Sequence, residues 1–526
     1  MDDKKNVTPF DHVIESSGGS EISIEGGPKT SKSGVVLVPQ PSNDPRDPLN
    51  WPQSKKLRIL ATLCLAGFAG IGAPFVHLVA LEPEAKTFGR TPTQIAWSVS
   101  AAIAGEAVGP LFFAPMAHSC GRSSVIFWSI FGVLTFNIWG ATMTKSTQFI
   151  PFLLSRLFAG LCGAIPSVFG ARLIFDTFFV HERGRAFSVF HITFLLGVIG
   201  IPTLGAFSSA DVDWPIMFWW TVAILGFTLI MIFLFLEETG FDRSGQGTYP
   251  AQTQWFFSNR IATFFPGTKV VPSTTLAETG RVTALPFIIA VTPAALIIGS
   301  FAMISFGFNV MLQVLQNVFI ETPVKKHGYG FDLKENAYFS FTSWLALFAA
   351  QTYGHLLNDR VPMWICKRRG GIWKPEYRLH MLWLPAVCIP LGLGLFGACL
   401  LHHYSPVLLA FSSFLVGTGA FASVPITVTY CIECFTHYPA EAGIIMNFFR
   451  LSFGTTTSYF IDPWVEDIGV QWAFGMSAFF VLASFLLVIL LMFKGETIRQ
   501  IQFARIASSE AGTKLIKVGS SDTEKA

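Results

Sequence analysis

Three ionisable side chains stand inside long apolar stretches of the sequence: Glu106, Arg156 and Arg450. Glu106 is the only carboxylate well inside such a stretch in the first half of the chain. A charge in these surroundings is costly unless it is paired or faces water. Burial raises the pKa of a carboxyl group and a nearby arginine lowers it, so a group under both influences can bind and release protons. Glu106 is therefore the predicted proton-binding group, with Arg156 as its charged neighbour. The alternative for Glu106 is an internal salt bridge or polar packing, and the alternative for Arg156 is that its side chain reaches the outer membrane interface.

A second polar group follows one face of a predicted helix. Asn309, Gln313 and Gln316 are spaced i, i+4 and i+7, which places them on the same side. Lipid would not tolerate such a stripe, so it must line a cavity or face another helix. We expect it to line a cavity that binds a small molecule.

Other chemistry finds little support in the sequence. Cys431, Glu433, Cys434 and His437 resemble a metal-ligand spacing, but no second cysteine pair accompanies them, so we expect no metal site. The sequence contains neither the Gly- and Lys-containing phosphate loop of ATP-driven pumps nor a nucleophile-base-acid set. A net charge of +3 is too small to indicate a nucleic-acid partner. We expect no enzyme activity and no cofactor.

Long apolar helices must position these side chains. Hydrophobic residues make up 51% of the 526 residues and charged residues only 13%, against about 25% in soluble domains. The charges gather in the tails, a middle segment and short connectors, leaving apolar runs of about 20 residues, the length of helix that crosses a bilayer. Backbone amides in lipid require internal partners, so these runs must be helical. The predicted spans are 58–80, 93–116, 124–143, 149–173, 187–208, 214–236, 284–310, 337–358, 379–402, 406–431, 440–462 and 471–493.

The spans fall into two sets of six. Residues 1–57 form a polar tail predicted to be disordered and cytoplasmic, 58–237 the first bundle, and 238–283 a cytoplasmic linker. Residues 284–495 form the second bundle and 496–526 a cytoplasmic tail. Cytoplasmic termini keep most of the 36 Lys and Arg inside, including the basic segment 360–378. Both bundles end on Glu-Thr, which suggests repeated halves.

Short motifs recur near the ends of these spans. Span 2 leads into a loop that contains Gly109, Pro110, Gly121 and Arg122. Span 4 carries Arg156 and Gly160. The remaining motif residues are Gly197, Pro202 and Gly205 in span 5, Asp359 and Arg360 after span 8, and Arg450 in span 11.

In this order the motifs resemble the major facilitator superfamily, in the form of its fungal twelve-span drug:proton antiporters. His118 and Ser123 replace an acidic residue and an arginine that are usual in the loop, and Ile201 replaces a glycine in span 5. The resemblance implies an all-α membrane protein of twelve transmembrane helices in two six-helix bundles. It also implies that the motif residues serve conformational change, and that Arg156 faces the cavity. The glycines of span 5 would lie where that span crosses the opposite half.

The resemblance further implies proton-coupled transport of a small organic molecule, such as a drug or secondary metabolite, by alternating access. Export is the leading expectation. Two alternatives stay open: a proton-coupled importer of a cationic nutrient such as a polyamine, and a membrane sensor that transports nothing. We expect a monomer in the lipid bilayer of the plasma membrane, with the vacuolar membrane as the alternative.

Overall fold

The computed structural model describes residues 39–42, 44–241, 255–265, 276–323, 328–371, 373–435 and 438–522. Side chains are not described for Val180, Asp462 and residues 276–278 and 502–522. Most of the predicted amino-terminal tail and much of the predicted linker therefore lie outside the described residues. Within the described part of the chain every regular element is a helix.

Twelve spans, numbered here in chain order, form two sets of six. Those of the first half are Gln53–Gly72, Pro92–Cys120, Arg122–Ala141, Phe149–Gly163 continued by Ile165–Thr177, Val180–Ser209 and Ile216–Phe235. Those of the second half are Pro293–Glu321, Phe341–Leu357, Trp383–His402, Pro406–Cys434, Pro439–Ser452 continued by Thr457–Ile468, and Val470–Asp522. In the described residues, 10 spans are long and apolar enough to cross a membrane; spans 8 and 11 are shorter or interrupted.

Several boundaries differ from those expected. Span 7 begins at Pro293, because a separate helix, Leu276–Ala290, occupies the end of the predicted linker and the predicted start of this span. Span 7 then continues to Glu321, past the expected end at residue 310. Span 12 is one helix from Val470 to Asp522, so residues 496–522 of the predicted tail are helical.

Local sequence explains where span 2 begins and ends. Thr91 and Gln94 form a capping box, and Pro92 fits the first turn, where its missing N–H is not needed. Gly121 ends the helix with a φ of 87°, a conformation that is costly for other residues. Span 3 starts at the next residue, so the loop motif forms the sharp corner between the two spans.

Hydrogen bonds between the two halves lie near one end of the bundle. We call the end that carries the loops after spans 2, 4, 8 and 10 the basic end. Near the opposite end, Trp97 Nε1 donates to Ser458 O at 3.3 Å, and the hydroxyls of Thr203 and Ser340 lie 2.9 Å apart. These contacts join the halves and close that end.

Candidate functional site

A cavity of about 2170 Å³ lies between the two halves. Residues of both halves line it, from Phe75 and Leu78 near the closed end to Arg122 and Asp359 at the basic end. The structure therefore represents a state in which the cavity extends to the basic end.

Asn309, Gln313 and Gln316 all line this cavity, on span 7. Asn309 and Gln316 are only 2% and 3% exposed. The Oε1 atom of Gln313 accepts from Ser343 Oγ at 3.0 Å and from Gln316 Nε2 at 3.2 Å. Span 8 thus fixes the polar stripe of span 7. Contact of these side chains with a bound molecule stays a prediction.

Glu106 also lines the cavity, but its charged neighbour is not the predicted one. Its Oε1 atom is buried and has no hydrogen-bond partner among the described residues. The charge that acts on it is Arg450, from span 11 of the other half. Asn447 connects the two residues: its Nδ2 donates to Glu106 O at 3.2 Å, and its Oδ1 accepts from Arg450 Nη2 at 2.7 Å.

Arg156 does not line the cavity, contrary to the expectation drawn from the resemblance. It is fully buried inside the first half, where it donates to Asn137 Oδ1 at 3.1 Å and Phe136 O at 2.9 Å. Its guanidinium group lies 4.6 Å from the ring centroid of Phe218, and the charge that acts on it is Glu84. The arginine side chain turns away from the cavity because its partners belong to spans 3 and 6 and to the loop after span 1.

Glu84 was not a predicted site residue. It lies on the short helix Leu81–Phe88 between spans 1 and 2, is 0% exposed, and neither carboxylate oxygen has a hydrogen-bond partner among the described residues. Burial raises the pKa of Glu84 well above its usual range, and Arg156 acts against that rise. Its position in a polar loop, outside every apolar run, gave no sequence signal for burial.

The loop motif of the first half organises the basic end. Arg122 forms an ion pair with Asp176, at the end of span 4. Glu238, which follows span 6, accepts from the backbone N of Ser123 at 3.0 Å. Burial raises the pKa of Glu238, and its hydrogen bonds and Arg122 oppose the rise. An ion pair and a hydrogen bond therefore connect the start of span 3 to the ends of spans 4 and 6.

The second half repeats this arrangement. Arg378, just before span 9, donates to Glu433 at the end of span 10 at 2.6 Å and to Asp359 at 3.1 Å. Lys374 pairs with Glu496 of span 12 at 2.6 Å. The third, fourth and sixth spans of each half are thus linked alike, which supports repeated halves over chance similarity of the Glu-Thr ends. Arg360 is exposed.

Glu433 is engaged by Arg378, and the carboxylate that acts on Arg450 is Glu106. Cys431 and Cys434, in the weak metal-ligand pattern, are buried free thiols. His437, the remaining residue of that pattern, lies outside the described residues.

Motif glycines permit close helix crossings within the first half. A Cβ atom on Gly160 would lie 2.0 Å from Ala102 O, and one on Gly109 would lie 2.2 Å from Leu161 O, so spans 2 and 4 are in backbone contact. Pro110 lies inside span 2 beside this crossing.

Gly197 and Gly205 of span 5 do not face the opposite half, contrary to what the resemblance implied. A Cβ on Gly197 or Gly205 would meet the carbonyls of Phe68 and Val76, at 2.3 and 2.2 Å, which places both glycines against span 1 and the segment after it. Gly200 instead approaches Trp344 of span 8 at 3.4 Å, and Pro202 lines the cavity. The successive glycines point in different directions, so only part of the motif reaches the other half.

Two asparagines of the second half hold the segment that follows span 1. Asn317 Nδ2 donates to Leu78 O at 3.0 Å, and Asn336 Nδ2 donates to Val79 O at 3.3 Å. We call these four residues the asparagine latch. Asn317 directly follows the polar stripe of span 7, and this position could have identified it as a functional residue from the sequence. Asn336 lies in a polar segment, where nothing in the sequence distinguishes it.

Comparisons with known proteins agree with this architecture. The family model described as Major Facilitator Superfamily matches residues 59–459. "Efflux pump radE" of Floropilus chiversii is 27% identical over 520 residues, covering 94% of this chain and 91% of the relative. "MFS transporter fsa7" of Fusarium sp. (strain FN080326) is 26% identical over 502 residues, covering 90% of this chain and 94% of the relative.

Solved structures show the same fold at low sequence identity. The proton:xylose symporter XylE gives a TM-score of 0.58 at 13% identity, over 84% of this chain and 96% of the symporter. The human organic anion transporter MFSD10 gives 0.55 at 16% identity, over 83% of this chain and 100% of that protein. Two six-span halves around a central cavity, matched by the family model over most of the chain, show that this protein belongs to the major facilitator superfamily of integral, multi-pass membrane transporters and is not an enzyme.

Proposed function

We propose that this transporter exports a small organic molecule in exchange for protons, with Glu106 as the proton-binding group. The observation that carries the proposal is the buried carboxylate of Glu106 in the cavity, unpartnered at Oε1 and facing Arg450 of the opposite half. A group in this position interacts with both halves and with the cavity contents. Its protonation therefore bears on substrate binding and on the relative position of the halves.

The charge pair suggests how the coupling works. Ionised Glu106 attracts Arg450 across the interface, whereas a proton on Glu106 removes that attraction. In the exchange cycle, Glu106 takes up a proton when the cavity opens at the opposite end and releases it when the cavity opens at the basic end. The basic end is cytoplasmic by the distribution of Lys and Arg, so each proton moves inward as the substrate moves outward.

Conformational change in this cycle requires the inter-half contacts to break and reform. The asparagine latch, with the Thr203–Ser340 contact, would open, while the loops bearing Arg122 and Asp359 approach each other at the basic end. Gly160, Gly197 and Gly205 would hold their helices together as a rigid half during this movement. Alternating access in this fold is largely such rocking of one bundle against the other.

Names of relatives support export over import. Relatives include an efflux pump and transporters from filamentous fungi, among them "MFS transporter cpaT" of Aspergillus oryzae, 25% identical over 496 residues.

We further propose that the protein acts as a monomer in the plasma membrane. Size-exclusion chromatography with light scattering and a fluorescent fusion in cells test these two points.

The test of coupling is proton movement in vesicles that contain the purified protein. A panel of drugs, polyamines and organic acids is added in turn, and internal pH is followed with a dye. At least one compound should drive a pH change with the wild type and none with Glu106→Gln. Glu82→Gln, at a half-buried carboxylate of the helix Leu81–Phe88 that pairs with Lys86, is the matched control and should behave as the wild type. Normal coupling in Glu106→Gln would refute the assignment.

A further inference from the structure

The hydrogen bonds of span 7 fix which polar atoms remain free to meet a ligand. Gln313 Oε1 accepts two hydrogen bonds, from Ser343 Oγ and Gln316 Nε2. That arrangement leaves Gln313 Nε2 as a free donor and Gln316 Oε1 as a free acceptor. Asn309 Oδ1 is a further free acceptor. All three atoms are buried on residues that line the cavity.

These atoms form an ordered pattern along the helix. Acceptor, donor and acceptor follow one another from Asn309 to Gln316, a rise of roughly 10 Å at 1.5 Å per residue. Buried polar atoms without partners are costly, so a ligand that satisfies all three gains affinity and specificity. The complementary ligand edge is donor, acceptor, donor: a carbonyl or ether oxygen flanked by hydroxyl groups.

The charged groups that line the cavity disfavour an ionic ligand beside the polar stripe of span 7. Glu106 is opposed by Arg450, so neither is free to neutralise a substrate charge. The other ionised groups that line the cavity, such as Arg122, Asp176 and Asp359, belong to the basic end. The remaining surface around the stripe includes the aromatic rings of Phe75, Phe194 and Phe421, which suit a flat apolar body.

We propose that the cavity binds uncharged, amphipathic molecules whose hydroxyl and carbonyl groups pair with Asn309, Gln313 and Gln316. This inference rests on the proposed function for the identity of the site as the substrate site. Such a site differs from that of a polyamine carrier, because binding a polyamine would need uncompensated carboxylates in place of neutral amides.

Binding to the purified protein in detergent tests the inference without any proton gradient. The probes are a hydroxylated flavanone and its fully O-methylated analogue at pH 6, with tetraphenylphosphonium and spermidine as cations. The hydroxylated flavanone should bind and raise the melting temperature. Its methylated analogue should bind about fivefold more weakly for each hydrogen bond lost, and the cations should not bind measurably.

Two variants test whether the polar stripe of span 7 causes the preference for the hydroxylated flavanone. Gln316→Met, which removes a free acceptor, should reduce the preference for the hydroxylated over the methylated flavanone by about fivefold. Gln471→Met, the same change at an exposed position of span 12, should leave the preference unchanged. Equal binding of the two flavanones, binding of neither, or tighter binding of a cation would overturn the proposal. Because only binding is measured and no gradient is present, a failure of proton coupling would leave these binding results unchanged.

Discussion

The asparagine latch should bias the protein towards the state described here. Replacing Asn317 and Asn336 by leucine removes the donors to Leu78 O and Val79 O while keeping the side-chain size similar. Each lost hydrogen bond costs about 1 kcal/mol, so the double variant destabilises the closed opposite end by about 2 kcal/mol. Since 1.4 kcal/mol is a factor of ten, the ratio of the alternative state to this state should rise about 30-fold.

Spin labels at the basic end report this shift. Cysteines placed at the exposed positions Arg185 and His355, one in each half, are labelled after the eight native cysteines are removed. Opening of the latch allows the halves to approach at the basic end, so the double variant should gain a population at shorter label distance. Each single variant should shift the ratio by about fivefold.

The same change away from the interface provides the control. Asn259→Leu lies on the helix Phe256–Phe264, which packs against span 3, and should leave the distances unchanged. An unaltered distance distribution in a folded, monodisperse double variant would refute the role of the latch, as would a longer distance.

Two further predictions concern stability in detergent. Between the usual pKa of a glutamate and the raised pKa of Glu84, the folded protein holds a proton that the unfolded chain has lost, so Glu84 makes stability fall as pH rises through that window. Glu84→Gln should reduce this slope in melting temperature, and Glu82→Gln, at a half-buried carboxylate of the same helix, should not; equal slopes in all three proteins would contradict the burial argument. Gly160→Ala places a methyl group 2.0 Å from Ala102 O and should lower stability by about 1–3 kcal/mol. Gly226→Ala, whose nearest neighbour would be 3.8 Å away, should be close to neutral; a similar loss in both would argue against the tight crossing of spans 2 and 4.

Apolar length and basic loops predicted the architecture, because the bilayer imposes both requirements on the sequence directly. The stripe of Asn309, Gln313 and Gln316 was placed in the cavity for the same reason, since lipid excludes amides from its side. Helix boundaries were harder to predict where proline starts a new helix inside an apolar run, as at Pro293.

Pairings between distant residues could not be predicted from sequence. Glu106 and Arg156 stand on neighbouring spans of one half, yet each faces a different charge, Arg450 and Glu84. Which side of a helix a residue occupies depends on crossings such as those at Gly160 and Gly197. The latch depends on backbone carbonyls of Leu78 and Val79, and a carbonyl carries no residue-specific signal.

Proton release on substrate binding tests the central claim most directly, namely that Glu106 couples the cavity to protons. The hydroxylated flavanone is added to the purified protein in weakly buffered detergent solution with a pH indicator. Wild-type protein should release protons in proportion to the ligand bound, and Glu106→Gln should bind the ligand without that release. Equal release from both proteins, or binding to the wild type without release, would contradict the account.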